Sequence, residues 1–282
     1  MKRGMRRGRS KGFIHKSKAP KNQEDLIALK SKIHTDPSRA ITLKTKLDQI
    51  YSSKANFNTT CEGKCECCKV AMPQMNYSEF CQLINEVWDT SSKTVKIDLI
   101  CASIDYFFRN QFEKWGMDSL IKPCLLLSSE GKCRYYKSRP LNCRIYGLWP
   151  AKSYEERVDK FEKAYEGLLT REQLPLNTQC PYVKRVDPSI PITADLIESV
   201  FNQLDELDKK VGNFTELQIK NRENYRTFHD WLLLKTFGED WLVKLTDFIM
   251  AADKDSMVDL VTQIIKATRS QFAKEMPDPR GK

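Results

Sequence analysis

The chain has 282 residues, of which 40% are hydrophobic and 10% aromatic, enough for one large domain or two modest ones with a buried core. This composition excludes a wholly disordered protein, and no apolar run approaches the length of a transmembrane helix. The net charge is +10, but residues 1–22 hold nine basic residues and no acidic one, so ten minus nine leaves the remaining chain near +1.

The basic segment 1–22 has the composition of a disordered tail, because glycines and charges dominate it. Its cations suit an anionic partner, which could be nucleic acid or an acidic protein surface. A solvated end without a partner fits the same composition. The anion-binding candidates are Lys2, Arg3, Arg6, Arg7, Arg9 and Lys11.

Apolar residues at helical spacing predict helices over most of the remaining chain. The predicted helices lie in two segments within 23–56, after Asn76, over 94–115, from 153 to 169, and from Thr193 almost to the end. Asn76 and Glu79 stand three residues apart, as in a capping box, so we expect a helix to begin there. The stretches 57–75, 121–150 and 174–192 lack this spacing and are predicted as loops.

We therefore predict a mainly α fold with long metal-pinned loops and little or no sheet. Three parts are expected: a disordered basic tail (1–22), a cysteine-rich metal-binding domain with flanking helices (23–192), and a C-terminal helical region packed on it (193–276). Long structureless loops are unusual inside a compact domain, so they need another source of order. Metal binding would supply it, because binding is coupled to folding.

Ten cysteines, in a chain without an apolar stretch of signal-peptide length, predict metal or redox chemistry in a reducing, cytoplasmic compartment. Cys81 and Cys101 lie on apolar faces of predicted helices, so we expect them in the core. The other eight lie in loops beside glycine, proline and charge, where packing does not explain them. We predict that these eight bind zinc or an iron–sulfur cluster: Cys61, Cys65, Cys67, Cys68, Cys124, Cys133, Cys143 and Cys180.

Glycines and basic residues accompany these cysteines. Gly63 and Gly131 stand where turns would aim successive sulfur atoms at one ion. Nearby cations would offset thiolate charge and donate hydrogen bonds to the ligands, and the candidates are Lys64, Lys69, Arg134, Arg139 and Arg144.

The segment from Cys124 to Arg144 resembles a known pattern: a cysteine, an apolar run, Gly-x-Cys, a tyrosine, then Arg-Pro-x-x-Cys-Arg. Here the pattern reads Gly131-Lys132-Cys133, Tyr135-Tyr136 and Arg139-Pro140-Leu141-Asn142-Cys143-Arg144. It is similar to the CxxCxxCC, or YkgJ-type, family of zinc- or iron-chelating proteins. Cys180-Pro181 resembles that family's last cysteine, whereas Cys65 is shifted by one residue from the family spacing.

The resemblance spans about residues 61–182 and implies metal or iron–sulfur binding; one branch of the family is associated with flagellin lysine methylation. Three functions stay open: a structural or binding module, an iron–sulfur enzyme (redox or protein-lysine methylase-like), and a component of a large nucleoprotein assembly. Cys61, Cys65 and Cys68 also match the spacing of radical-SAM cluster ligands, but no alternating strand–helix pattern follows them. His229 lies in an apolar helical pattern and is predicted to be packed or at the surface rather than a ligand.

Overall fold

The computed structural model describes residues 37–52, 59–61, 66–70, 72–112, 123–150, 183–185, 191–251 and 253–275, with a few single positions between 152 and 163. In this part of the chain helices dominate and strands form only short two-stranded pairs, so the mainly α prediction is confirmed. The predicted tail, the first predicted helix, Cys65 and Cys180 lie outside the described residues. None of the described helices has the length and apolar character needed to cross a membrane.

The helices are α1 (Pro37–Ser52), α2 (Glu66–Val70), α3 (Tyr77–Thr90), α4 (Lys93–Phe112), α5 (Leu141–Ile145), α6 (Ala194–Gly212), α7 (Glu216–Lys220), α8 (Phe228–Phe237), α9 (Glu239–Ala251) and α10 (Lys254–Glu275). The strands are β1 (Thr59–Thr60), β2 (Gln74–Asn76), β3 (Lys184–Arg185) and β4 (Tyr225–Thr227). Both strand pairs, β1 with β3 and β2 with β4, are antiparallel.

The longer helices begin where polar caps stand in the sequence. Before α3, the Glu79 carboxylate accepts the backbone N–H of Asn76 at 2.9 Å, as the capping-box prediction required. Before α6, the Thr193 hydroxyl accepts the N–H of Leu196 at 3.2 Å. These bonds satisfy N–H groups that the first turn of a helix leaves without partners, and so they fix where each helix starts.

Two clusters of buried apolar side chains hold the helices together. The larger joins α3, α4, α8, α9 and α10, with fully buried Phe80, Phe108 and Phe228 among its members. The smaller joins α1, α5 and α6, and it includes Leu141. Burying an aromatic or aliphatic side chain of this kind contributes about 1.5–3 kcal/mol, so packing supplies most of the stability.

The two cysteines that were predicted to be packed contact these clusters. Cys101 is buried inside the larger cluster. Cys81 is partly buried and packs against both clusters. Their surroundings are apolar, as expected for small hydrophobic side chains.

The predicted loops contain short ordered elements. The stretch 57–75 includes α2, β1 and β2, and the stretch 121–150 includes α5 and a 3-10 turn over Tyr136–Ser138. Tyr225, which was predicted on a helix, lies in β4 opposite Asn76. One-turn helices and strands of two or three residues are too short to show an apolar periodicity, so the sequence pattern could not predict them.

A buried polar cluster joins α6 to the start of α3. The fully buried carboxylate of Asp208 accepts the backbone N–H groups of Ser78 (2.7 Å) and Tyr77 (3.1 Å). It also accepts the side-chain amides of Asn224 (2.8 Å) and Asn76 (3.1 Å). Burial raises the pKa of Asp208, while these hydrogen bonds act in the opposite direction. The carboxylate therefore serves as the anion at the N-terminus of α3.

Candidate metal centre

Five of the predicted ligands come together from three separate segments. Cys67 and Cys68 lie on α2, Cys124 and Cys133 lie in the loop after α4, and Cys143 lies on α5. Their thiols are near enough to shift one another's ionisation. Among the described cysteines none forms a disulfide, so no disulfide accounts for this convergence.

Backbone hydrogen bonds connect the first cysteine segment to the second. The N–H of Cys124 donates to the carbonyl of Cys68 at 2.6 Å. The chain then turns back at Gly131, which has a φ of +73°. Gly131 thus stands at a turn that favours glycine, as the sequence predicted. The turn returns the chain so that Cys133 pairs with Leu127 in an antiparallel bridge.

The helix that carries Cys143 is fixed by a residue far away in the sequence. Glu79 Oε1 accepts the N–H of Leu141, in the first turn of α5, at 2.5 Å. The same oxygen accepts the hydroxyl of Tyr51 at 2.5 Å. Pro140, the residue before α5, has no side-chain cap of its own. Glu79 therefore caps α5 as well as α3 and sets the position from which Cys143 projects.

Burial raises the pKa of Glu79, and the hydrogen bonds from Tyr51, Leu141 and Asn76 oppose that shift. Burial likewise raises the pKa of Tyr51, with the adjacent Glu79 charge adding to it, so the hydroxyl stays protonated and can donate. The sequence assigned Glu79 only to the cap of α3. No local pattern connects it with Leu141 or Tyr51.

Two of the predicted basic residues are buried in the loop around α5. The guanidinium of Arg144 donates to the carbonyls of Arg139 (2.8 Å) and Lys137 (3.1 Å) and lies 4.3 Å from the ring centroid of Tyr51. The guanidinium of Arg139 lies 3.7 Å from the ring centroid of Tyr136. Both arginines therefore shape the segment that carries Cys143, through hydrogen bonds and cation–π contacts.

Of the other three basic residues predicted beside the cysteines, two lie at the surface and one lies outside the described residues. Lys69 and Arg134 are exposed beside Cys68 and Cys133. Lys64 lies outside the described residues. Arg139 is the basic residue whose positive charge lowers the pKa of both Cys67 and Cys143.

The electrostatics of the cluster show how closely the thiols interact. A hydrogen bond from the Cys68 thiol lowers the pKa of Cys67 to about 7, and the positive charge of Arg139 also lowers it. The same hydrogen bond raises the pKa of Cys68, and burial raises it further. Burial raises the pKa of Cys143, and the charges of Cys67, Cys124 and Cys133 add to that shift. The protein alone therefore does not stabilise several thiolates here at once, whereas a cation would.

Cys61 is held next to the same region by its backbone. Its N–H donates to the hydroxyl of Tyr136 at 2.7 Å, in the 3-10 turn that leads to α5. Its side chain is buried. The other two predicted ligands, Cys65 and Cys180, lie outside the described residues.

Within the described part of the chain, no three histidine, cysteine, aspartate or glutamate side chains are grouped so as to hold a metal ion. The five thiols are neighbours rather than a closed set of ligands. Their chemistry nevertheless fits a soft ion, because thiolates select zinc, Cu(I) and iron–sulfur clusters.

His229 is buried in the core, as the packed alternative predicted. Its Nδ1 lies 2.9 Å from the hydroxyl of Thr227, and its ring centroid lies 4.5 Å from that of Tyr106. These contacts are those of a packed side chain at the start of α8.

Comparisons of this chain with models of protein families, with curated proteins and with solved structures find no significant match. The resemblance to the CxxCxxCC family therefore stays a prediction. The functional argument depends on the residues of this chain alone.

Proposed function

We propose that this protein binds zinc or an iron–sulfur cluster through its cysteine thiolates and serves as a structural or binding module. The observation that supports this most directly is the convergence of five cysteine thiols from three segments. Packing alone does not explain why so many thiols lie near enough to shift one another's pKa, because an ionised thiol disfavours ionisation of the next in a buried group.

Each part of the chain has a distinct role in this proposal. Cys67, Cys68, Cys124 and Cys143 would hold the metal, and Cys133 lies beside them. Cys61, Cys65 and Cys180 are the candidates for completing this site or a second one. When bound, the metal would cross-link the three segments and balance the thiolate charge. A reducing compartment such as the cytoplasm would keep these thiols available.

Metal analysis of protein purified without oxygen tests this proposal. We expect at least about one zinc or iron atom per chain, and chelation should lower the melting temperature because metal binding and folding are coupled. Zinc without visible absorbance would identify a structural module. A brown protein that bleaches in air would instead favour the iron–sulfur enzyme. Metal-free protein with an unchanged melting temperature in the presence of excess metal would contradict the proposal.

The basic segment 1–22, which lies outside the described residues, supports a second element of the proposal: docking on nucleic acid, alone or within a larger nucleoprotein assembly. Its nine cations suit phosphate groups and offer few ways to address base edges. We expect sequence-independent binding to duplex DNA or RNA, weakening by roughly 0.9 units of log affinity per log unit of salt for each DNA phosphate neutralised.

Deleting residues 1–22 should abolish this binding without changing the metal content. Fluorescence anisotropy at several salt concentrations measures the affinity and its salt dependence. A matched control replaces residues 1–22 with a neutral Gly/Ser segment of equal length. This variant, like the deletion, should fail to bind nucleic acid. Wild-type affinity in the truncated protein would refute the role of the tail, and binding only to an acidic protein would identify the other partner class.

A further inference from the structure

A groove of about 770 Å³ lies between α1 and α6. Its apolar part is formed by Ile50, which is half-buried, and by Leu207, which is buried in the smaller apolar cluster. Polar and charged side chains of α6 border it from Asp195 to Lys210. These two residues are 15 positions apart (210 minus 195), so this side of the groove is about 22 Å long. A short amphipathic helix fits a groove of this length and character.

The charged side chains at the groove carry both signs. Asp195 and Glu198 are exposed on α6, and neither forms an ion pair with another described residue. Lys46 of α1 and Lys210 of α6 are also exposed there and add positive charge. A matching partner therefore presents an apolar stripe together with both acidic and basic side chains.

The segment that comes just before α1 has this character. Residues 23–36 lie outside the described residues, and α1 begins directly after them at Pro37. Their sequence predicts a short helix with Leu26, Leu29 and Ile33 on one face. Acidic residues stand early in this predicted helix and lysines stand later, which is the order that the helix dipole favours. A helix this short is marginal in water unless its apolar face is buried.

We propose that residues 23–36 dock as an amphipathic helix into the groove between α1 and α6. The groove lies within reach, because Lys46 is nine positions (46 minus 37) after Pro37, about 14 Å along α1, and a helix over 23–33 is about 16 Å long. The proline disfavours one helix that continues into α1, so the chain turns back after a short loop, as in a helical hairpin. Docking fixes the base of the basic segment 1–22 to this face of the protein.

Limited trypsin digestion of the full chain, followed by mass spectrometry, tests this docking. Lys30 and Lys32 lie in the docked segment, and Lys18 and Lys21 provide reference sites before it. Trypsin cuts a docked segment only when it opens, so we expect cleavage after Lys30 and Lys32 to be at least about tenfold slower than after the reference lysines. Equal rates at the two pairs of sites would overturn the inference.

Substitutions in the segment separate docking from local effects on cleavage. Leu26→Asn removes an apolar contact and should raise the cleavage rate after Lys32 by about tenfold. Ala28→Asn is the matched control, because it introduces the same residue on the opposite face of the predicted helix, and it should change that rate by less than about twofold. Equal rates in the two variants would contradict docking through the apolar stripe.

Substitutions on α1 test the groove itself. Ile50→Asp, with circular dichroism to check folding, should release the segment and raise the cleavage rate after Lys32 about tenfold. Ile41→Asp is the matched control, because Ile41 is 72% exposed on the same helix and does not line the groove. Protection that survives Ile50→Asp in the folded protein would overturn the assignment to this groove.

The concentration of the protein distinguishes the occupants. Protection that is unchanged on dilution supports docking within one chain, whereas protection that falls on dilution would place the segment on a second copy and overturn the proposal. The digestion needs neither metal nor nucleic acid. Failure of this inference therefore leaves the proposed function standing, and a protein that binds no metal can still show the protection.

Discussion

Asp208→Ala should lower the free energy of unfolding by about 2–4 kcal/mol. The substitution removes the acceptor of the Ser78 and Tyr77 N–H groups and of the side-chain amides of Asn76 and Asn224. A buried donor left without a partner costs about 1–3 kcal/mol. Three of the four keep another acceptor, since Tyr77 N also donates to the Asn224 carbonyl and the side-chain amides of Asn76 and Asn224 also donate to Asp205. The loss is therefore large but below the sum of four.

Urea unfolding followed by circular dichroism measures this effect. Asp195→Ala is the matched control, because Asp195 is exposed in the first turn of the same helix and should contribute only about 0.3–1 kcal/mol through the helix dipole. Equal destabilisation by the two substitutions would show that the buried cluster does not anchor α3 to α6.

Cys143→Ser should reduce the metal content of the protein, with an affinity loss of about 100-fold or more for zinc. The serine hydroxyl stays protonated at neutral pH and is a hard donor, so it replaces a thiolate poorly. Cys143 is a demanding position because its thiol is partly buried and the charges of Cys67, Cys124 and Cys133 act on it. Metal titration of the purified variant, with circular dichroism to check folding, gives the affinity.

Cys101→Ser provides the comparison, because Cys101 is buried in the apolar cluster, where its thiol lies near the carbonyl of Ile265. We expect this variant to lose some stability and to keep its metal. If Cys143→Ser kept full affinity while folded, Cys143 would not be a ligand, and the site would have to be completed by other thiols.

The sequence predicts those parts of this molecule that leave a local pattern. Apolar periodicity predicts the long helices, and the pairing of Asn76 with Glu79 predicts where α3 begins. The position of eight cysteines in predicted loops, beside glycine and charged residues, marks them as candidate ligands. Gly131 stands at a turn because its backbone adopts a conformation that glycine tolerates.

Contacts between distant residues leave no such pattern. The bond between Glu79 and Leu141 spans 62 positions, and the bond between Ser78 and Asp208 spans 130. In the sequence, a carboxylate that accepts hydrogen bonds from a distant segment cannot be distinguished from a carboxylate at the surface.

The span between Ser78 and Asp208 also bears on how the chain folds during synthesis. The first turn of α3 has its carboxylate acceptor only after Asp208 is made, and Asn224 follows later still. Every described cysteine precedes both residues. Contacts of such high sequence separation slow folding, because the intervening chain must be closed before they form. We therefore expect the thiols to be exposed on the ribosome before their scaffold is complete, and the proposed metal binding to follow the synthesis of the C-terminal helices.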